Sequence, residues 1–387
     1  MKKLGTFTKV YLAYLLIIVI ALVGIFFYVR GVMVEYENAS ADRWIMSEIA
    51  DSAKKKGEIY NYFKDKCFGG QAAGLGDSEL RRQRFEKLAS GNVEVKLNPY
   101  SYDSAKPIYD VLADGKPFLT VCVAEGNTRT KLGILTMSDW NLLYSVLRSE
   151  ETDAKTFKLS GDGFNCSVSI PDGFTLCIDG KPYEGSSAGE SEIADFKYIA
   201  PYTAVPKYKT YEFDNLGFEP CFSVKNNGGE EVALAKDKNN NYSAAAEFVS
   251  SEEAKKVITD VMDPLAMAQL WSKFMTDDVP GAYHGFDTVV EECKLLKDTS
   301  LYTQGRSWSR GVDVQFVSVH TLKGFTNSRV ENYVKYNDNL YSCDVYTEKN
   351  MVLKTGASRT DVFDNRMFFA KINGTWYLVD MFSLAAK

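Results

Sequence analysis

The hydrophobic pattern begins with a long apolar stretch, because residues 10–29 contain no charged side chain. At about 1.5 Å of rise per residue, a helix of this length crosses a hydrocarbon core of about 30 Å. Three lysines precede the stretch, whereas one arginine and then mostly acidic residues follow it. Since basic flanks stay on the cytoplasmic side, we predict a signal anchor with residues 1–9 in the cytoplasm and an extracytoplasmic body at the cell membrane.

A cleaved signal peptide is the competing interpretation of the apolar stretch. Signal peptides have an apolar core of about 7–15 residues and a small-residue cleavage site close behind it. Here the stretch is longer, and the A-x-A motif at residues 39–41 comes only after Arg30 and two acidic residues. We therefore expect an uncleaved anchor, with the lipid bilayer as a partner through residues 10–29.

Beyond the anchor, helical spacing gives way to strand patterns. Residues 34–66 and 77–89 are predicted to be helical, and Asp77 is suited to cap the second segment. Runs rich in β-branched and aromatic residues then predict five strands, at 93–97, 108–113, 116–125, 130–137 and 140–147. We interpret residues 34–150 as an α+β domain in which helices precede an antiparallel meander.

Residues 155–248 show strand patterns and no convincing helix, which predicts a β-rich middle domain. Residues 164–170 and 174–178 are apolar runs joined by Pro171-Asp172-Gly173, and this arrangement predicts a hairpin. Further turns are expected at Asp179-Gly180 and at residues 226–229.

Residues 250–387 form the third predicted domain, which opens with an amphipathic helical region at 250–277. Ser250 and Glu253 have the spacing of a capping box, and Pro264 is expected to kink or split the region. A further helix is expected near 286–297. Asn373-Gly374 is a strong hairpin signal between the last two strands. The predicted strands are at 312–323, 328–336, 339–347, 360–372 and 375–383.

This third domain resembles the nuclear-transport-factor-2-like family. The resemblance depends on the opening amphipathic helix, the long strands and the closing hairpin FFAKINGTWYLVD at 368–380. It implies an α+β cone in which helices pack into a curved antiparallel sheet, and residues 34–150 resemble a second, more diverged copy.

The single-anchor layout is similar to single-pass membrane proteins of Gram-positive bacteria, to the stalk domains of penicillin-binding proteins and to assembly components of conjugation and type IV secretion machines. The expected fold class is therefore α+β: a transmembrane helix, a helix-plus-meander domain, a β-rich domain and a cone.

Charge and cysteine content narrow the function classes. The net charge is −6, but residues 1–30 hold four bases and no acid, so the remainder has 41 basic against 51 acidic residues. An acidic body makes nucleic acid an unexpected partner. The seven cysteines include no C-x-x-C pair, and most lie in apolar runs, which favours buried thiols. Cys166 and Cys177 are the best candidates for a disulfide.

Candidate chemistry is sparse. His320, one of only two histidines, lies in an apolar strand pattern and would join a ligand pocket with Trp271 and Tyr333 if that face lined the concave side of a cone. The alternative is a hydrogen-bonded structural histidine. Ser52 and Ser187 match fragments of hydrolase motifs without the remaining elements that those motifs need. We expect no catalytic residues, no cofactor and no metal site.

These observations favour a non-enzymatic interaction or scaffolding role in an envelope assembly or a cell-wall process, with protein partners at the cell envelope. A ligand-binding sensor that uses the cone pocket is the first alternative. An envelope hydrolase acting through Ser52, Ser187 or His320 is the second. Fold alone does not decide between them.

Overall fold

The computed structural model describes residues 5–69, 74–149, 163–311 and 318–384. Within these ranges the chain is a mixed α+β protein with an apolar N-terminal helix and several separate sheets. Helix α1 (Thr6–Asn38) is 33 residues long and is apolar enough to cross a membrane. It includes the whole uncharged stretch and continues beyond it.

Three shorter helices follow α1 and lead into the first sheet. Asp77 caps α4 as expected, since its carboxylate accepts hydrogen bonds from the amides of Glu79 and Leu80. The next four strands form an antiparallel sheet in sequential order. The elements are α2 (Ala41–Ala53), α3 (Glu58–Lys66), α4 (Ser78–Ala89), β1 (Val93–Leu97), β2 (Ile108–Ala113), β3 (Lys116–Lys131) and β4 (Leu135–Leu147).

The strand predicted at 130–137 is wrong, because these residues contain the turn between β3 and β4. Lys131 pairs with Leu135 directly across the turn, and Glu125 pairs with Trp140 further down the same hairpin. The outer part of the hairpin is largely solvent-exposed. It therefore lacks the apolar alternation that marks a half-buried strand in the sequence.

The middle of the chain forms two small sheets. The predicted hairpin between residues 164–170 and 174–178 is wrong, because β5 joins the sheet β12-β13-β5-β9-β8 while β6 joins the sheet β11-β10-β6-β7. The Pro171-Asp172-Gly173 turn reverses the chain, but the partners of both strands come from residues further along it. The strands are β5 (Phe164–Pro171), β6 (Thr175–Ile178), β7 (Lys181–Pro182), β8 (Gly189–Glu192), β9 (Lys207–Leu216), β10 (Phe222–Lys225), β11 (Glu231–Val232), β12 (Leu234–Lys236) and β13 (Asn241–Ala244).

The last part repeats the order of helices followed by a four-stranded antiparallel sheet in sequential order. Pro264 splits the first helical region as expected, but the cap of α5 is Ser251 rather than Ser250. The elements are α5 (Glu252–Val261), α6 (Pro264–Phe274), α7 (Phe286–Glu292), α8 (Ser300–Gly311), β14 (His320–Asn337), β15 (Leu340–Leu353), β16 (Ser358–Ile372) and β17 (Thr375–Ser383). Helix α8 was not expected, and residues 312–317 of a predicted strand lie outside the described residues.

Three apolar clusters hold these parts together. The first continues from α2–α4 through the first sheet into strands of the middle sheets. The second lies between α5–α7 and one face of the last sheet. The third packs Ile193, Phe196 and Ile199 against the other face, where Phe368 and Ala370 lie. Because alternate residues of a strand point to opposite faces, Met367 and Phe369 belong to the second cluster while their neighbours belong to the third.

All seven cysteines lie within the described residues and are reduced thiols. Cys166 and Cys177, the best candidates for a disulfide, are therefore not bonded to each other, and they lie on β5 and β6 in different sheets. Six of the seven are buried, and Cys221 is exposed. Burial raises the pKa of Cys166 and of Cys293 to about 12 each, which makes both thiols poor nucleophiles.

Candidate functional site

His320 is the sequence-predicted site residue with the richest polar surroundings. It is the first residue of β14, and its Nε2 lies 3.1 Å from Oδ2 of Asp278. Its Nδ1 lies 2.6 Å from the carbonyl oxygen of Ser318. Both neighbours are hydrogen-bond acceptors, a carbonyl and a carboxylate, so the ring lies between two polar partners.

Lys349 completes this cluster from the neighbouring strand β15. Its side chain is buried, and its Nζ donates to Asp278 Oδ2 at 2.7 Å, to the Ser272 carbonyl at 3.1 Å and to Thr276 Oγ1. Burial lowers the pKa of Lys349, although the hydrogen bond to Asp278 opposes the effect. Burial alone would raise the pKa of Asp278, but its hydrogen bonds from Lys349, Thr276 and His320 together lower it.

The other histidine holds the adjacent aspartate of the same loop. His284 Nδ1 lies 2.7 Å from Asp277 Oδ1. Tyr283 and His284 have positive φ angles of 53° and 60°, and such conformations are costly for residues other than Gly, Asn and Asp. Asp277 has a φ of 63°. The loop between α6 and α7 is therefore held in a strained form by contacts to both histidines of the chain.

Trp271 and Tyr333 are packed into the second apolar cluster. Their exposed fractions are 9% and 8%, and the Trp271 ring centroid lies 5.6 Å from that of Phe274. His320 lies outside the residues of this cluster and is bonded to the Asp278 loop. The structure thus places Trp271 and Tyr333 together in a core and His320 in a polar network, and a ligand pocket formed by all three stays a prediction.

The polar network joins the loop after α6 to the last sheet. The three protons of the Lys349 ammonium have three acceptors, and these belong to the end of α6 and the loop that follows it. His320 ties the start of β14 to the same carboxylate. The cluster therefore fastens the strained loop to two strands of the sheet.

The two serines of the hydrolase hypothesis lie in a helix and in an irregular segment. Ser52 is buried in α2, and its hydroxyl donates to the carbonyl of Glu48 at 2.8 Å. Ser187 lies in an irregular stretch between β7 and β8. A nucleophile elbow needs a strand before the serine and a helix directly after it, and this segment has a strand on both sides.

A second polar cluster joins the anchor helix to the body, and we call it the anchor junction: Glu35, Ala39, Arg129, Lys131 and Trp140. The Glu35 carboxylate near the end of α1 lies 3.1 Å from Arg129 Nη2 and 2.5 Å from Lys131 Nζ, both on β3. Trp140 Nε1 on β4 donates to the Ala39 carbonyl at 2.8 Å. A cleft of about 270 Å³ is lined by four residues of the anchor junction, all except Lys131, and by their neighbours.

Helix α1 is unbroken between the uncharged stretch and the anchor junction. Helix α1 runs from the uncharged stretch to Asn38, and Val32 is its one buried residue among those described. Contacts between α1 and β4 accompany the polar junction. The β3–β4 hairpin therefore lies alongside the end of α1, and only two residues separate α1 from α2.

Sequence reasoning missed the acidic partner of His320 and the whole anchor junction. The Asp277-Asp278 pair was visible between a helical pattern and a Pro-Gly turn, but nothing local connects it with a strand more than 40 residues later. Trp140 and Ala39 are separated by 101 residues. Such pairs depend on tertiary packing and leave no periodic signal in one sequence.

No family model matches the chain, and no curated protein sequence matches it. Among solved structures, one similar chain is described as an "Ntf2 like protein involved in plasmid conjugation". The alignment has a TM-score of 0.19 and 9% identity, and it covers 84% of this chain and 95% of that chain.

Proposed function

We propose that this chain is a single-pass membrane protein with an extracytoplasmic body and a non-enzymatic interaction or scaffolding role in an envelope assembly or a cell-wall process. The observation that carries the proposal is the anchor junction, in which Glu35 and Ala39 of the anchor helix bond to the β3–β4 hairpin. A body fixed to its anchor presents the same face at a constant height above the bilayer. This property suits a scaffold, and a freely diffusing carrier gains nothing from it.

The orientation of the body rests on the distribution of charge. Lys2, Lys3 and Lys9 precede the apolar stretch, while Glu35 and Glu37 follow it closely. Because Lys and Arg near the ends of a spanning helix favour the cytoplasmic side, the N-terminus is placed inside and the acidic body outside.

The finer fold assignment is also a proposal. Helices α5–α8 precede the four long strands β14–β17, and α5–α7 pack on one face of the sheet around a shared core. Register shifts interrupt the pairing of β14 with β15 and of β16 with β17, and such irregularities bend a sheet. This arrangement supports a nuclear-transport-factor-2-like cone, and the same order in α2–α4 and β1–β4 supports a second copy.

The test of the interaction role is a crosslinked purification of the full chain from detergent-solubilised membranes. The control is an anchor-only fusion, in which residues 1–31 carry an unrelated soluble domain of similar size. We expect specific proteins with the full chain that are absent with the control, because the body rather than the anchor provides the surface. Identical protein sets from both would contradict the proposal.

A second comparison tests whether fixed presentation matters. In the variant Glu35→Lys with Trp140→Phe, the body keeps its surface but loses the polar bonds to the anchor helix. We expect the same membrane abundance and a reduced yield of the crosslinked partners. An unchanged yield would separate the interaction from the anchor junction and would remove the argument for a scaffold.

A further inference from the structure

The turn between β3 and β4 differs in sequence from three other tight turns among the described residues. Three other tight turns use Asp or Asn followed by Gly, with φ angles of 49° at Asp114, 48° at Asp179 and 50° at Asn373. At the equivalent position of the β3–β4 turn, Leu132 has a φ of 52°. A left-handed conformation is unfavourable for an aliphatic residue, so Leu132 stands here against the local preference of the backbone.

The same turn exposes apolar surface. Ile134 is 81% exposed and Leu132 is 45% exposed. These two residues flank Gly133, which has a positive φ of 69°. Two aliphatic side chains at a tight turn are unusual, because turns favour Asn, Asp, Gly and Ser, and strained positions of this kind cluster at functional sites.

The anchor junction fixes where this turn lies relative to the bilayer. Along the hairpin, Trp140 bonds to Ala39, and Lys131, which is nearer the turn, pairs with Glu35, which is nearer the apolar stretch. The direction from Trp140 towards the turn is therefore the direction along α1 towards its membrane-spanning part. The turn begins directly after Lys131, so it points at the bilayer surface.

The distances agree with contact. Glu35 lies six residues beyond the uncharged stretch that ends at Val29, which is about 9 Å along a helix. The turn extends about 5 Å beyond Lys131 at about 3.3 Å per residue. The two lengths are of the same order, so the tip reaches towards the interfacial layer, which is about 5–7 Å thick.

From this geometry we infer that the β3–β4 turn, with Leu132 and Ile134, inserts into the interfacial layer of the bilayer that holds α1. The occupant of the exposed apolar surface is lipid, at the boundary between headgroups and acyl chains. The inference rests on the proposed membrane anchoring and adds a second point of contact. Helix and turn together fix the tilt of the body, which a single helix leaves free.

The test uses the full chain in vesicles with a single environment-sensitive fluorophore. The Cys221→Ser background removes the exposed native thiol, and Ile134→Cys places the label at the tip. Lys116→Cys, an exposed site at the opposite end of β3, is the matched control, and Leu22→Cys in the middle of the anchor reports insertion. The vesicles contain phosphatidylcholine with or without a nitroxide-bearing analogue.

We expect a blue shift and a loss of emission with nitroxide lipid at positions 22 and 134, and neither at position 116. An effect at 22 alone would overturn the inference and would leave the anchor in place. No effect at any position would show that α1 does not insert, and it would overturn both proposals. Equal effects at 116 and 134 would indicate adsorption of the whole body and would also overturn the inference.

Lipid charge separates apolar insertion from electrostatic attraction. The inference predicts the same blue shift at position 134 in phosphatidylcholine as in vesicles that also contain phosphatidylglycerol. A shift that requires the anionic lipid would assign the contact to Arg129 and Lys131 rather than to the aliphatic tip, and the inference would then be wrong.

Discussion

Asp380 is a buried carboxylate on β17 whose charged state is disfavoured by its surroundings. Burial raises its pKa from 3.8 to about 6, and the hydrogen bond from the Met381 amide opposes this effect. It lies where the pairing of β16 with β17 shifts register between Phe368 and Phe369. Because the folded-state pKa lies above the unfolded value, this group favours folding below pH 3.8, and the contribution is lost as the pH rises through about 6.

We expect Asp380→Asn to raise the free energy of unfolding at pH 7.5 by about 1–3 kcal/mol, since one pKa unit corresponds to about 1.4 kcal/mol. Near pH 4 the variant and the wild type should be alike. Denaturant titrations of the full chain in detergent at both pH values measure the difference. Asp260→Asn, at an exposed position of α5, is the control and should follow the wild type. A wild-type curve for Asp380→Asn at pH 7.5 would contradict the argument.

Lys349 illustrates the opposite case, in which a buried charge has its partners. Lys349→Ala leaves the Asp278 carboxylate without its main counter-ion, and we expect a loss of about 3 kcal/mol in the free energy of unfolding. Lys354→Ala, an exposed lysine near the end of the same strand, should have little effect. The double variant Lys349→Met with Asp278→Asn should recover part of the loss, because it removes both charges. Lys349→Ala with full stability would show that the pair is dispensable.

At the level of elements, the β3–β4 hairpin contacts two different parts of the molecule. The inner parts of its strands belong to the first apolar cluster, while the outer part extends beyond the core and contacts the end of α1. The bond from Trp140 to the Ala39 carbonyl spans 101 residues of sequence. It couples the end of the anchor helix to a sheet.

We expect Trp140→Phe to loosen this coupling without unfolding the body. A hydrogen bond of this kind contributes about 1 kcal/mol, which corresponds to about fivefold faster amide exchange where opening is local. Hydrogen exchange read by mass spectrometry should show the increase in peptides covering residues 35–40 and 129–140. Tyr102→Phe, at an exposed aromatic of the same domain, is the control. Unchanged exchange at the junction would mean that other contacts hold the hairpin to the helix.

Some elements could be predicted from the sequence, and others could not. The long apolar helix, the Asp77 cap, the split at Pro264 and the Asn373-Gly374 hairpin follow from local chemistry, and the structure has all of them. The partners of β5 and β6 do not, because strand pairing is decided by packing between distant segments. The site residues divide in the same way: the sequence indicated that His320 is exceptional, but the Asp278 and Lys349 contacts required the fold.

At the level of the whole molecule, the three apolar clusters include residues from all four sheets of the described part of the chain. The middle strands share a core with the first sheet, and residues 193–199 cover the outer face of the last sheet. Arg81 of α4 also forms an ion pair with Asp179 in the turn after β6. The middle segment therefore contacts both four-stranded sheets and connects them.

The topology is tested with the full chain and a reporter that is active only outside the cytoplasm. Fused after Lys387, the reporter should be active, because the positive flank retains the N-terminus inside. The matched control replaces Lys2, Lys3 and Lys9 by Glu, and this change should strongly reduce the activity at equal expression. A reporter that is inactive in the wild type would place the body in the cytoplasm and would overturn the proposed location.

Because α1 is unbroken, a rotation of this helix about its own axis would turn the body with it. Each residue of an α-helix turns the direction of the side chain by about 100°, and the anchor junction binds the body to one side of that helix. A second membrane helix that packed on one side of residues 10–29 would fix the rotation of the whole body about the membrane normal. Recognition within the bilayer would then decide which face of the protein is turned towards a neighbour outside it.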